Sequence, residues 1–358
     1  MIEADHGLLS KWNSLVEECV EGTIFHDLNW LRIVEKHTGS KLYPMIAFKG
    51  DEIVNVFPLF QQNEFTFLKT VISPHLRSHV PYLGPLFPHF NEYKQDKKDS
   101  ISRGSQDAFN ELIRRMNAKY VEIVFSPGFL DMRPFQWNGY DVIPRYTYMQ
   151  TLGDVKSVWN GFKKELRKNI NNAEKKGVTV SEGTKTDVSF IYASVHQRLE
   201  EQEQSLDMPY QYFYDLCEVF HPKNLRIFVA EHNKENVGGV IVTCYNRRVS
   251  MWFGSVRAEL RGLYPNDLLH WSVIKWACEQ GFKEFEIVGA NSPTMSAFKC
   301  RYNLDLKLYF SVSKYSPQFL KYARSAYAKT LIPAKNKLFR SRIKPRERAR
   351  APTSASEA

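Results

Sequence analysis

Residues 225–255 read LRIFVAEHNKENVGGVIVTCYNRRVSMWFGS and hold the clearest pattern of the chain. Three stretches have the two-residue period of β-strands: Leu225 to Glu231, Val237 to Tyr245 and Arg248 to Ser255. The polar run 232–236 separates the first two strands, and Asn246-Arg247 is a tight turn before the third. The segment therefore predicts three consecutive antiparallel strands.

Helical patterns flank these strands on both sides. Pro265-Asn266-Asp267 is typical of a helix start, with Asn266 as the predicted cap of a helix that runs to Gln280. Glu284 to Val288 then reads as a strand, and Leu306 to Ser313 as the last one. Upstream, residues 159–176 predict one helix with an apolar stripe. The stripe consists of Trp159, Phe162, Leu166, Ile170 and Ala173.

The N-terminal half repeats this order of elements. The predicted elements are a helix (Asn29 to His37), three strands (Leu42 to Phe48, Glu52 to Phe60, Phe65 to Ile72), a helix (Gln106 to Asn117) and two strands (Tyr120 to Phe125, Tyr146 to Thr151). The charged stretch Asn91 to Ser105 is predicted to be a surface loop. We expect an α+β fold of two tandem lobes, 1–152 and 153–315, each a mixed, mostly antiparallel sheet flanked by helices. Residues 316–358 would be a basic segment that is disordered toward its end.

The composition is typical of a globular protein from a reducing compartment. Hydrophobic residues make up 43% and charged residues 25% of the 358 positions, enough for a packed core. Five scattered cysteines without a Cys-x-x-Cys pair predict neither disulfides nor a zinc–thiolate site. His75 and His79 lie between prolines without a third ligand, so no metal site is predicted. The absence of a recognisable signal or spanning segment favours the cytoplasm.

The positive charge is concentrated at the C-terminus. Of the 49 Lys and Arg residues, 12 follow residue 313, whereas only two of the 39 Asp and Glu residues do. Residues 1–313 therefore hold 37 basic and 37 acidic side chains, and their net charge is zero. The body is therefore not predicted to be a nucleic-acid-binding surface. The basic segment has three open interpretations: contact with anionic lipid at the inner face of the membrane, contact with RNA, or simple solubilisation.

Three segments of the C-terminal half resemble the Fem-type aminoacyltransferases and related double-GNAT transferases. Residues 162–178 resemble the family's R-x-x-I-x-x-A-x-x-x-G-V helix, with Arg167 at the arginine position. Residues 268–289 resemble its crossover helix and following strand, and Ala297 to Asn303 its F-K-x-x-F-G element. The similarity is good over 155–312 and weaker over 22–150, where Val34 stands at the family's lysine position after Trp30. The resemblance implies two GNAT-like lobes.

The resemblance also implies a function and a site. The chain would transfer an acyl or aminoacyl group to an amine of a nucleotide- or lipid-linked cell-envelope glycan or peptide precursor. The family pattern places Phe298 and Lys299 at the reacting centre, with Lys299 stabilising the oxyanion or leaving oxygen and Phe298 restricting water. A core Phe beside a solvated Lys is the alternative. Arg301 and Tyr302, in the same element, are predicted to bind substrate.

Further substrate contacts are predicted on two helices. Lys163, Arg167 and Asn171 follow one another at four-residue steps opposite the apolar stripe and could bind phosphates or a tRNA backbone; a solvated basic face is the alternative. Tyr264 and Asp267 lie at the entrance of the later helix, where Asp267 could equally be an ordinary first-turn carboxylate.

The co-substrate is predicted to be aminoacyl-tRNA or acyl-CoA, with nothing tightly bound. Ordinary GNAT enzymes cradle the CoA pyrophosphate in a Gly-rich turn at a helix N-terminus. Here the stretch is Arg261-Gly-Leu-Tyr-Pro-Asn266, whose bulky residues and proline count against a standard CoA pocket. The alternatives left open are an acyl-CoA-dependent N-acetyltransferase of an amino sugar and a double-GNAT module that only binds.

Overall fold

The computed structural model describes residues 1–64, 68–256, 258–291 and 293–317. The predicted basic tail lies outside these ranges except for its first two residues. Met1–Ser313 pack as one unit, and a second unit starts at Lys314.

Twelve strands within the described residues form one sheet. They are β1 (Ile2–Glu3), β2 (Lys41–Lys49), β3 (Glu52–Glu64), β4 (Leu68–Ser73), β5 (Tyr120–Val124), β6 (Asp141–Thr151), β7 (Thr179–Glu182), β8 (Leu225–His232), β9 (Glu235–Tyr245), β10 (Arg248–Val256), β11 (Glu284–Ile287) and β12 (Asp305–Tyr315). Across the sheet their order is β1-β2-β3-β4-β5-β12-β6-β11-β10-β9-β8-β7. The class is therefore α+β, with a mixed and mostly antiparallel sheet, as predicted.

Ten α-helices in the described part of the chain cover the sheet. They are α1 (His6–Glu17), α2 (Leu28–Thr38), α3 (Gln95–Arg115), α4 (Arg133–Trp137), α5 (Val155–Gly161), α6 (Lys164–Lys175), α7 (Val188–Glu201), α8 (Tyr210–Phe220), α9 (Pro265–Glu279) and α10 (Pro293–Lys299). One core joins α1, α2, α7 and α8, a second lies under α6 and α9, and a third lies under α3 and α4.

The first core links the two halves of the chain. Trp30 of α2 is fully buried, with its ring 5.0 Å from that of Trp252 on β10 and 5.4 Å from that of Phe220 on α8. Full burial of a large side chain contributes about 1.5–3 kcal/mol, so this cluster makes the halves mutually dependent for stability.

The predicted meander and crossover are confirmed. β8, β9 and β10 pair antiparallel, with Phe228 opposite Val240 and Val249 opposite Cys244. α9 then carries the chain over to β11, which pairs parallel to β10. A parallel pair requires such a crossover, and the helix supplies it.

In the middle of the sheet, strands from the two halves of the chain alternate and do not form two successive lobes. β6 lies between β11 and β12, with Phe285 opposite Gln150 on one side and Leu308 opposite Tyr146 on the other. The amide of Phe125, just after β5, donates to the Phe310 carbonyl of β12 at 2.9 Å. The sheet therefore runs without a break from β1 to β7, and the division at 152/153 stays a prediction.

The predicted surface loop at 91–105 is wrong for most of its length, because α3 begins at Gln95. Its buried positions include Ile101, Ser102 and Ser105. Small hydroxyl residues thus occupy positions where the sequence pattern requires apolar ones, and this hides the helical period.

The predicted single helix over 159–176 is in fact two helices. Phe162, between α5 and α6, has an extended backbone (φ −68°, ψ 148°). Its ring thereby enters the second core, 5.5 Å from the ring of Trp271 and 5.5 Å from that of Tyr302. Burial of this ring outweighs the continuity of the helix. Gly161, just before the break, also leaves room for Asn303: a Cβ added at Gly161 would lie 3.1 Å from Asn303 Nδ2.

The predicted cap of α9 is also wrong. Tyr264 is the N-cap, and Pro265 is the first helical residue, which places Asn266 inside the first turn. Proline suits that position because its φ is already helical and the missing N–H would have no intrahelical acceptor.

Candidate functional site

A cavity of about 730 Å³ lies where β10 and β11 separate. Their parallel pairing ends at Met251 and Ile287, whereas β10 continues along β9 to Val256. One edge of Gly254–Val256 therefore faces the cavity, and the start of α9 and α10 complete its walls. The volume is typical of small-molecule sites. Four of the predicted site residues line it: Tyr264, Asp267, Phe298 and Arg301.

Asp267 joins three elements beneath this cavity. Its buried carboxylate accepts hydrogen bonds from Arg301 at 2.8 and 3.1 Å, from Asn169 Nδ2 at 3.0 Å and from the Tyr302 hydroxyl at 3.3 Å. Burial alone would lower the pKa of Arg301, but the hydrogen bonds and charge of Asp267 raise it above its usual value. Burial raises the pKa of Tyr302, so its hydroxyl stays a donor. Both carboxylate oxygens of Asp267 are thus occupied, as a positioning group requires.

Asn169 is the member of this cluster that the sequence interpretation missed. It is buried on α6, three residues after Leu166 and one before Ile170, on the apolar side of the helix. An asparagine inside an apolar stripe is the signal that could have identified it, since a buried amide needs hydrogen-bond partners.

Phe298 forms an aromatic wall of the cavity. Its ring lies 5.4 Å from the ring of His270 and 5.6 Å from that of Tyr302, and the Arg301 guanidinium lies 4.8 Å from its centroid. Burial lowers the pKa of His270 to about 4, so the imidazole is neutral at pH 7. Phe298 therefore packs against two uncharged aromatic side chains, and the Arg301 guanidinium lies over its ring.

Lys299 is buried and is not among the residues that line the cavity. Its Nζ donates to the carbonyl of Ile287 at 3.2 Å and to those of Val288 and Gly289. Burial lowers the pKa of Lys299 to about 8, against the opposing charge of Glu286. Lys299 thus ties α10 to the end of β11, and its catalytic role stays a prediction.

A buried carboxylate lies on the other face of β11. Glu286 accepts hydrogen bonds from Thr147 at 2.7 Å, from Ser250 at 3.0 Å and from Tyr82. The Thr147 hydroxyl in turn accepts from the amide of Gly289 at 3.3 Å. Hydrogen bonds therefore connect Glu286 through Thr147 to the amide of Gly289. The carbonyl of the same Gly289 accepts from Lys299.

The predicted phosphate contacts on α6 lie outside the cavity lining. Lys163 and Asn171 are exposed and Arg167 is half-exposed. Lys163 precedes the helix as its N-cap residue, and its Nζ lies 3.8 Å from the Cys300 sulfur at the end of α10. The basic surface therefore borders the element that carries Phe298 without entering the cavity, and phosphate binding there stays a prediction.

The turn before α9 has few features of a phosphate cradle. Tyr264 adopts a left-handed backbone (φ 55°), which glycine tolerates far better than a bulky residue. Pro265 supplies no N–H, and Asp267 places a carboxylate in the first turn. A phosphate at a helix start is stabilised by free N–H groups and disfavoured by nearby negative charge.

Residues 160–299, from α5 to the end of α10, match the family model described as an acetyltransferase (GNAT) domain. The solved structure of FemX is similar with a TM-score of 0.65 at 12% identity, over 87% of this chain and 97% of FemX. A tandem GNAT protein from the clavulanic acid biosynthesis pathway is similar with a TM-score of 0.54 at 12% identity, over 88% and 97% of the two chains. The chain has a double-GNAT fold.

The predicted resemblance to Fem-like double-GNAT proteins is thereby confirmed. L-PGS from Bacillus licheniformis has a similar fold, with a TM-score of 0.52 at 13% identity over 87% of this chain and 92% of that one. No curated protein matches the sequence. Within the described residues, no helix has both the length and the apolar character that crossing a bilayer requires. The matched GNAT domain holds both parallel strands that open the cavity.

Proposed function

We propose that this double-GNAT chain is an acyltransferase that forms an amide on an amine of a cell-envelope glycan or peptide precursor. The observation that carries the proposal is the cavity between the diverging β10 and β11 of the GNAT domain. There the edge of Gly254–Val256 can align an extended acyl donor by backbone hydrogen bonds, while Phe298 limits access of water.

The reaction joins an amine nitrogen to an acyl carbon held in an ester or thioester. The nitrogen attacks the carbonyl carbon, a tetrahedral oxyanion forms, and the carbon–oxygen or carbon–sulfur bond breaks; the proton that the amine loses ends on the leaving oxygen or sulfur, so a donor such as Lys299 is reprotonated in each turnover. Arg301, held by its ion pair with Asp267, places a guanidinium in the cavity wall. Lys299 would reach the oxyanion after releasing the Gly289 carbonyl, and its lowered pKa of about 8 makes that ammonium a better proton donor to the leaving group.

Aminoacyl-tRNA is the donor that we favour, with acyl-CoA as the alternative. The left-handed Tyr264 and the proline after it disfavour a pyrophosphate at the start of α9, because they remove close backbone approach and one N–H donor. An aminoacyl ester needs no pyrophosphate there. The exposed Lys163 and half-exposed Arg167 on the neighbouring surface suit phosphates of the donor or of a nucleotide- or lipid-linked acceptor.

Transfer assays with each donor test this proposal. The full chain is mixed with a nucleotide-linked peptide precursor and either a pool of charged tRNA or acetyl-CoA, and amide formation is followed by mass spectrometry. We expect transfer from charged tRNA. Transfer from acetyl-CoA alone would support the N-acetyltransferase alternative, and transfer from neither donor would contradict an acyltransferase of this acceptor class.

A pair of phenylalanine variants links the activity to the cavity. Phe298→Ala opens the aromatic wall and should lower turnover at least ten-fold. Phe282→Ala is the matched control, because Phe282 is also half-buried but packs on Trp276 at the opposite end of α9. Equal effects of the two substitutions would place the reaction elsewhere.

A further inference from the structure

Buried polar side-chain atoms without hydrogen-bond partners cluster beneath α3, outside the cavity described above. Within the described ranges, these unpartnered atoms are Asn55 Oδ1 and Nδ2, Ser102 Oγ, Ser105 Oγ and Gln106 Oε1. All four side chains are at least nine-tenths buried and line one internal cavity of about 20 Å³. Buried polar groups in folded proteins are nearly always hydrogen-bonded, so a cluster of this kind indicates a binding site.

The local fold explains why these groups meet. Ser102, Ser105 and Gln106 lie on one face of α3, and Asn55 points from β3 toward the same space. Phenylalanine rings from β3, α3 and the segments around them form much of the remaining wall, together with Met1, Asp131 and two prolines. These rings belong to Phe57, Phe87, Phe109, Phe129 and Phe135. The cavity accommodates one group of the size of a water molecule or a hydroxyl.

A larger chamber of about 210 Å³ adjoins this cavity, and Ser105 lines both. Apolar side chains of β2, β3 and α3 form most of its wall, and Gly104 opens it further, since a Cβ added there would have no atom within 4 Å. Lys49 is the charged side chain in its lining; it is exposed, and its Nζ donates to Ser100 Oγ at 2.9 Å.

We propose that the two spaces form one ligand site for a small hydroxylated carboxylate with an apolar body. The hydroxyl would occupy the inner cavity, where Asn55 and Ser105 offer both donors and acceptors. The apolar body would fill the chamber beside Gly104, and the carboxylate would pair with Lys49. This site is separate from the GNAT cavity, and the proposal does not depend on which acyl group the chain transfers.

The distribution of polarity favours such a ligand over water alone. A water molecule would satisfy the inner polar atoms but would leave the apolar wall of the half-open chamber facing solvent, and an apolar group would remove that surface from water. A ligand with a buried hydroxyl also gains selectivity, because an analogue without it leaves Asn55 and Ser105 unpaired.

Three matched probes test the site: 4-hydroxyphenylacetate, phenylacetate without the hydroxyl, and 4-methylphenol without the carboxylate. Binding to the full chain is measured by calorimetry and thermal shift. We expect 4-hydroxyphenylacetate to bind at least ten-fold more tightly than either analogue. Failure of all three to bind at millimolar concentration, or equal affinity for all three, would overturn the proposal.

Two variants locate the binding. Gly104→Leu fills the chamber at a helical position where leucine is favoured, so it should abolish binding while the melting temperature is kept or raised. Gly7→Leu makes the same substitution on the exposed start of α1 and should leave binding unchanged. Ser105→Ala should reduce the affinity for 4-hydroxyphenylacetate to that for phenylacetate. Undiminished binding to Gly104→Leu would also overturn the proposal.

Discussion

Arg301 and Asp267 form a bidentate ion pair, with Nη2 2.8 Å from Oδ1 and Nη1 3.1 Å from Oδ2. The Asp267 side chain is 7% exposed and that of Arg301 19%, so water screens the pair little. The pair connects the first turn of α9 with the segment after α10. The two walls of the GNAT cavity are therefore held together by this ion pair. We expect its loss to lower the free energy of unfolding.

Replacing Arg301 by methionine should destabilise the fold by about 3 kcal/mol, because the buried Asp267 carboxyl would lose its ion-pair partner and retain only Asn169 and Tyr302. Urea unfolding at pH 7 measures this change. Arg133→Met is the control: it removes ion pairs of the exposed Arg133 with Asp99 and Asp131 and should change the unfolding free energy by no more than about 1 kcal/mol. A similar small loss for both variants would show that the pair with Asp267 is not effectively buried.

The sequence predicted the C-terminal half better than the N-terminal half for a physical reason. Strands β8 to β10 are mostly buried runs rich in apolar residues, because cores cover both of their faces, and polar turns separate them. These turns mark the strand ends in the sequence. α3 buries Ser102 and Ser105 at core positions, so no apolar period marks its first turns. Insertion of β6 between β11 and β12 depends on contacts more than 130 residues apart, which local patterns do not encode.

The site was predictable in composition and less so in geometry. The motif grouped Phe298, Arg301 and Tyr302 in one element and offered Asp267 only as a separate candidate at a helix start. Their contact, through Arg301 and Tyr302 on the Asp267 carboxylate, is seen in the structure alone. The burial of Lys299 could not be inferred, because its carbonyl acceptors follow β11 and a sequence does not show which backbone oxygens lack partners.

Lys299 should make stability depend on pH in the alkaline range. Burial lowers its pKa from 10.5 to about 8, so the folded chain releases this proton earlier than the unfolded chain. Between these two values the unfolded state binds more protons, and the contribution of Lys299 to stability rises with pH. Compared with Lys299→Met, the wild type should gain up to about 3 kcal/mol between pH 7 and pH 10 in urea unfolding. A constant difference between the two proteins would mean that the buried ammonium has a normal pKa.

Thr147 should affect both turnover and stability through its hydrogen bonds to Glu286 and Gly289. Thr147→Val keeps the shape of the side chain but removes the donor to Glu286 at 2.7 Å and the acceptor of the Gly289 amide at 3.3 Å. We expect a loss of about 1–2 kcal/mol in unfolding free energy and a fall in kcat of the order of ten-fold with little change in KM. Thr151→Val, at the exposed end of the same strand, is the control. A change in KM alone would indicate an effect on binding instead of on the position of the β11 turn.

Lys299→Ala should lower turnover at least ten-fold if the ammonium assists the reaction. The substitution also leaves the carbonyls of Ile287, Val288 and Gly289 without their shared donor, so a loss of activity alone is ambiguous. Lys299→Met retains the apolar stem but also lacks the donor, so the donor Kd is the measurement that separates the two roles. If the ammonium assists the reaction, the donor Kd should stay within about three-fold while kcat falls, because substrate contacts along β10 remain; a displaced β11 turn would weaken donor binding as well. Lys275→Ala, on the exposed face of α9, serves as the surface control. Turnover of Lys299→Met equal to wild type would remove Lys299 from the reacting centre and leave it a purely structural link between α10 and β11.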